Sequence, residues 1–144
     1  MMRVRNVRTL FALAIAALPL CGACESTSGA TTPTAATPAS TTESFTATMD
    51  QLGSVTHAFT VGTAGPLQVK LTAVEPLATM ALGVAVTTGG TACGSDIAQN
   101  TNARSGATAL SGTAAAGSYC VRVFDAGNIP ASSSVTYSVD VTHP

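Results

Sequence analysis

Tryptophan is absent from this 144-residue chain, and aromatic residues of all kinds make up only 4% of it. A folded core must therefore be assembled from Val, Leu and Ala with a few Phe and Tyr. Charge is scarce too, at 9% of residues, with six basic side chains in all. Three scattered cations, Lys70, Arg104 and Arg122, are all that lie beyond residue 8. A nucleic-acid partner would need a basic patch, and a headgroup-binding surface would need a basic amphipathic helix; neither can be built here. No segment carries a 3.6-residue apolar period with caps. There is no Gly-x-Ser-x-Gly nucleophile elbow and no internal repeat.

What is present begins with a leader. Arg3, Arg5 and Arg8 precede an apolar stretch over 10–20. Its length, about eleven residues, falls short of the roughly twenty that a bilayer-spanning helix needs. With Pro19 near its end, this reads as a cleavable export signal over 1–23, and the lack of an Arg-Arg pair argues against a twin-arginine route. Two cleavage readings remain open. A signal peptidase could cut after Ala23, or a lipoprotein peptidase could cut before Cys24, whose thiol would carry diacylglycerol. Gly22-Ala23-Cys24 resembles the end of a bacterial lipobox, with Cys21 where a Leu is usual. The segment 24–42 follows, rich in Ser, Thr, Pro and Ala, with nothing to bury; it is expected to stay disordered as a tether. Cleavage also changes the charge. All seven acids lie at or beyond Glu25, so the mature chain sets three cations against seven acids, a net charge of −4.

About 100 residues remain, enough for one domain, assigned to 43–144. Cys93 and Cys120 fall inside it. Two cysteines in an exported domain are expected to form one disulfide; a zinc site would need more ligands at closer spacing.

Period-two alternation is the recurring pattern in this domain. It runs through Val55, His57, Phe59 and Val61, then through Leu67, Val69, Leu71 and Ala73. It returns at Met80, Leu82, Val84 and Val86, at Tyr119, Val121 and Val123, and at Val135, Tyr137, Val139 and Val141. Weaker strands are read over 43–48 and 107–112. Turn residues separate them at 62–66, 75–76, 89–90, 116–117 and 127–130. About seven strands, each with one buried face, predict an all-β, two-sheet antiparallel β-sandwich of jelly-roll or immunoglobulin-like type.

The series Phe59-Thr60-Val61, Gly65-Pro66-Leu67-Gln68-Val69-Lys70-Leu71-Thr72, the strand from Leu82 to Val86, the hairpin Ala116-Gly117-Ser118-Tyr119-Cys120-Val121-Arg122-Val123 and the closing Val135-Thr136-Tyr137-Ser138-Val139-Asp140-Val141 resemble the bacterial pre-peptidase C-terminal (PPC) domain. That family is a β-sandwich found on secreted proteases and other exported proteins, and the resemblance covers about 44–142. It implies an accessory role. The family's middle strand often carries Asp residues; here Thr79-Met80-Ala81-Leu82-Gly83-Val84-Ala85-Val86 has no acid, so no calcium ligands carry over. The module is read as standing without the protease domain that its relatives accompany.

Candidate chemistry is sparse. Asp50, Ser54 and His57 lie close in sequence, but His57 shares its face with Val55, Phe59 and Val61, which points it toward the core edge rather than toward a nucleophile. His143, paired with His57 and Asp125 or Asp140, would need distant pieces to converge on a metal; it is read as an exposed terminal histidine. Asp125-Ala126-Gly127-Asn128 is read as a turn. The stretch 88–106 is read as a polar loop, long enough to suggest function, with Asp96, Gln99, Asn100, Asn102 and Arg104 as its binding candidates. The sequence thus predicts a non-catalytic, exported, lipid-anchored module of the cell envelope, free of cofactor and metal. It would be a monomer, meeting the membrane through its anchor alone and binding protein, peptide or polysaccharide or serving a structural role. A small secreted protease inhibitor or processing aid acting through 88–106 is the alternative, and a small hydrolase the third reading.

Overall fold

The computed structural model describes residues 39–90 and 92–144. The leader over 1–23, the lipidation candidate Cys24 and all but the last residues of the tether over 24–42 lie outside the described residues. Within them are eight strands and no helix: β1 (Thr41–Asp50), β2 (Ser54–Val61), β3 (Gly65–Glu75), β4 (Ala81–Thr88), β5 (Asp96–Arg104), β6 (Ala107–Ala114), β7 (Gly117–Phe124) and β8 (Ser134–His143). One sheet has the order β1-β8-β3-β6 and the other β2-β7-β4-β5, with every pairing antiparallel. The first strand pairs with the last, the second with the seventh, the third with the sixth and the fourth with the fifth. This is the jelly-roll form of the β-sandwich.

β8 shows why these residues make this fold. Val135, Tyr137, Val139, Val141 and His143 are buried, while Thr136, Ser138, Asp140 and Thr142 face outward. β1 matches it residue for residue from Thr41↔His143 to Asp50↔Ser134. Its outward side chains meet those of β8 in a ladder of hydroxyl contacts. Thr42 pairs with Thr142 at 2.8 Å, the Ser44 hydroxyl donates to Asp140 at 2.7 Å, and Thr46–Ser138 and Thr48–Thr136 pair at 2.9 and 3.0 Å. A one-residue slip would bury this ladder and expose the valines, so the register is firmly specified.

Between the sheets lie Val69, Leu71, Val74, Leu82, Val84, Val121, Val123, Tyr137, Val139 and Val141, all fully buried. Each such side chain contributes roughly 1.5–3 kcal/mol over its exposed state. β4 is buried on both faces up to Thr87. Its inward Leu82, Val84 and Val86 belong to the core. Its outer face carries only Ala81, Gly83, Ala85 and Thr87, because the Phe124 ring lies directly over Gly83, where a Cβ would collide with it. The Arg122 guanidinium covers that ring from 4.3 Å and is ion-paired with Asp96.

All seven expected strands form. The eighth is a correction: the stretch read as a polar loop over 88–106 contains β5, hydrogen-bonded along β4. The alternation failed to announce it for two reasons. β5 is an edge strand, and edges are kept polar to discourage further pairing. Its register also shifts between Leu82 and Val84 and again between Val86 and Thr87, which breaks the period. What remains of the loop is the β4–β5 turn, described over 89–90 and 92–95. It is folded back by Gly89 N–H to Ser118 O at 3.0 Å and Gly94 N–H to Thr88 O at 2.8 Å. The Cys93–Cys120 disulfide, with Cα atoms 5.8 Å apart, fastens it to β7 as expected. Gly89 is obligatory in this turn, since a Cβ there would run into the Ser118–Tyr119 backbone.

Candidate functional site

The five residues proposed for binding lie along β5 and do not converge. Asp96 is held by Arg122. Asn100 bridges the two sheets, donating from Nδ2 to Ala109 O at 2.9 Å and accepting from Asn102 N–H at 2.9 Å. Arg104 donates to Thr79 O at 3.0 Å. Gln99, opposite Ala85 in the register, is exposed. Asp96, Asn100, Asn102 and Arg104 thus take part in holding the edge in place.

Nor does a catalytic group assemble around His57. Ser54 is exposed at the outer start of β2, three positions from an inward His57 and hence on the opposite face, and Asp50 is exposed at the end of β1. His57 Nε2 instead lies 2.9 Å from the Tyr137 hydroxyl, and its ring stacks on Phe45 with centroids 4.8 Å apart. Burial pushes the imidazole below its ordinary pKa and pushes the Tyr137 phenol up to about 12. Both shifts keep the pair neutral.

His143 corrects a second expectation. It is not exposed but buried, at 4% of its accessible surface. The β8 alternation simply continues one step past Val141 and turns it inward. Its Nε2 lies 2.9 Å from Glu43 Oε1 and its ring stacks on Phe59. Among the described residues no group of three or more His, Cys, Asp or Glu side chains gathers as a metal site would require.

Asp125 is the most heavily bonded side chain of the molecule's turns. Its Oδ1 accepts the backbone N–H groups of Gly127, Asn128 and Ile129 at 2.9, 2.8 and 3.1 Å, and its Oδ2 accepts that of Leu52 at 2.9 Å. Burial pushes this carboxyl up, but the four backbone donors outweigh it and leave the pKa below the ordinary carboxylate value. The expected turn is therefore present, and it also clasps the β1–β2 turn, which sequence reasoning missed. Among the described residues every buried side-chain nitrogen or oxygen has a partner, so none is left aimed into a site.

One concavity stands apart because it is apolar. It lies between the facing edges of β5 and β6, holds about 170 Å³, and is walled by Leu67, Val86, Ile97, Leu110 and Tyr119. An apolar space of this order accommodates a small ring or one aliphatic side chain. Ile97 is 58% exposed at its rim, an unusual setting for an isoleucine. Both strands are sheet edges, so each has one side without a paired strand, although Asn100 of β5 takes up the Ala109 carbonyl of β6. β6, with the sequence ATALSGTA, contains no charge and no proline. These are the devices that usually protect an edge from further strand addition. The lone Ile97 in a polar run was the one sequence signal that could have located the groove.

The sequence matches no family model, and no curated protein matches it.

Proposed function

We propose that this chain is an exported, lipid-anchored accessory module of the bacterial cell envelope, non-catalytic and of the pre-peptidase C-terminal type. On this reading it binds an extended peptide segment of a protein partner. The observation that carries the binding role is the groove between β5 and β6, where an apolar pocket lies beside a strand edge that carries neither charge nor proline. Recognition of extended peptides by added strands needs those two elements. Main-chain bonds to the edge supply affinity, and a pocket for alternate side chains supplies selectivity. The leader and Gly22-Ala23-Cys24 support the anchored location, and the scarcity of basic residues argues against nucleic acid. Inhibition of a protease, the alternative role, would now rest on the disulfide-held β4–β5 turn instead of a long free loop.

Two measurements test the reading. Intact mass of the protein purified from its native envelope should begin at Cys24 and include acyl chains; an unacylated mature form would remove the anchor. Selection from a displayed peptide library on the oxidised domain should yield apolar-containing peptides whose binding is lost in Ile97→Asp and Leu110→Asp. Failure to select any peptide, or binding unchanged in both variants, would remove the groove from the function.

A further inference from the structure

Both histidines of the chain lie in one place, the open edge where β1 of the first sheet faces β2 of the second. No strand hydrogen bonds join the sheets there. Side chains close it: Phe45 of β1 stacks on His57 of β2, His57 bonds Tyr137 of β8, and His143 of β8 stacks on Phe59 of β2 and bonds Glu43 of β1. The two histidines differ in what meets a proton. A protonated His143 has the Glu43 carboxylate at 2.9 Å. A protonated His57 has none. Its neighbours are the Phe45 ring on β1, the Tyr137 phenol on β8, and Val121, its register partner on β7. The titratable and charged groups of these strands are otherwise engaged or turned away. Glu43 is taken by His143, Asp140 accepts from Ser44 on the outer face, and Arg122 is paired with Asp96 on the other outer face.

We propose that this edge is a proton-sensitive latch, in which protonation of His57 loosens the contact of β1 and β8 with β2 and exposes the apolar side chains beneath it. His57 is part-buried, so a charge on it is held beside Phe45, Tyr137 and Val121 or is carried further out to water. Moving it out breaks the Phe45 stack and the Tyr137 bond together, and the latter is a polar link between the sheets. The Phe45 face offers a cation some compensation, but burial still sets the ring's affinity for protons below its ordinary value. The folded state therefore binds this proton less readily than the unfolded one, and stability falls as pH drops through the ordinary histidine range. The β1–β8 ladder, ten residue pairs long, is untouched, so the opening parts the sheets at this edge without detaching β1 from its own sheet.

The test is apolar-dye binding and the NMR contacts of Phe45 with β2 side chains at pH 5 and pH 7.5, on the wild type, His57→Gln and His143→Gln. The wild type and His143→Gln should bind at least threefold more dye and lose the Phe45–β2 contacts at the lower pH, while His57→Gln should change by less than that. Equal pH dependence in wild type and His57→Gln would overturn the latch. Because His57→Gln could fail to fold, the His57 ring is also followed by NMR titration of the wild type. Its midpoint should lie below that of an unfolded-state histidine, with Phe45 and Tyr137 ring signals shifting along the same curve. A midpoint at or above the unfolded value would equally overturn it.

Discussion

Replacing Asp125 by Asn should destabilise this domain out of proportion to the one-atom change. The carboxylate accepts four backbone N–H groups, three on Oδ1 and one on Oδ2. An asparagine can keep its carbonyl oxygen toward Gly127, Asn128 and Ile129, but its NH₂ then faces the Leu52 N–H, donor against donor. That loses one charge-assisted bond, worth about 1.5–3 kcal/mol, and weakens three others. Leu52 also depends on this bond for its conformation. Its φ is 56°, in the left-handed region that a leucine adopts only when something holds it there. We expect Asp125→Asn to cost about 2 kcal/mol and Asp125→Ala about 3–4 kcal/mol in urea unfolding of the oxidised protein. For a domain of this size, 2 kcal/mol lowers Tm by roughly 10 °C. The pH dependence is a second signature. Asp125 is held below its ordinary value, so the stability it provides is complete above the unfolded carboxylate pKa and drains away as pH falls toward the folded one. Wild type and Asp125→Asn should therefore converge below about pH 4. A cost under about 0.5 kcal/mol, or parallel acid limbs in the two proteins, would refute the clasp.

Other expectations concern the second sheet and the seam. Loss of the Cys93–Cys120 bridge in the double Ser variant removes a 27-residue closure, which the chain-entropy relation values at about 3.5 kcal/mol. Denaturant midpoints with and without reductant, compared with that variant, check it. Gly83→Ala should cost about 1–3 kcal/mol because its methyl meets the Phe124 ring. Most of that cost should vanish in a Phe124→Ala background, and a double-mutant cycle with no coupling would show that the ring does not lie there. The groove variants and the His57 pH experiment described above complete the set.

Much of the architecture was legible because the sheets are strictly two-faced. Val135, Tyr137, Val139 and Val141 alternate with hydroxyls, so sequence period and sheet geometry coincide. The disulfide was legible from the cysteine count together with the expectation of export. β5 was not, since an edge strand with two register shifts neither alternates nor buries much, and only Ala103 of its residues is fully withdrawn from solvent. His143 was misplaced because the pattern was stopped at the last valine; a histidine satisfied by a carboxylate can take a valine's inward position. Asp125 was assigned to its own turn, while its bond to Leu52, 73 residues away, is a tertiary contact with no local signature. The groove escaped for a related reason: β6 and the turn after it supply one wall over 110–115, but the rest comes from four other strands, β3, β4, β5 and β7, far apart in sequence.

The pairing of Thr41 with His143 fixes more than the strand register. It puts the first strand's start and the last strand's end at one pole of the sandwich, together with Gly65, Ala114 and Gly117. The groove wall from Leu67 to Ala114 opens at this same pole, about three strand spacings, or roughly 14 Å, across the sheet from Thr41. The opposite pole carries Leu52, Leu77 and the Asp125 clasp. The chain therefore enters the sandwich at the pole where the groove lies, and a partner strand added along β6 would meet the two ends of the domain there, while the Asp125 clasp holds the turns at the far pole.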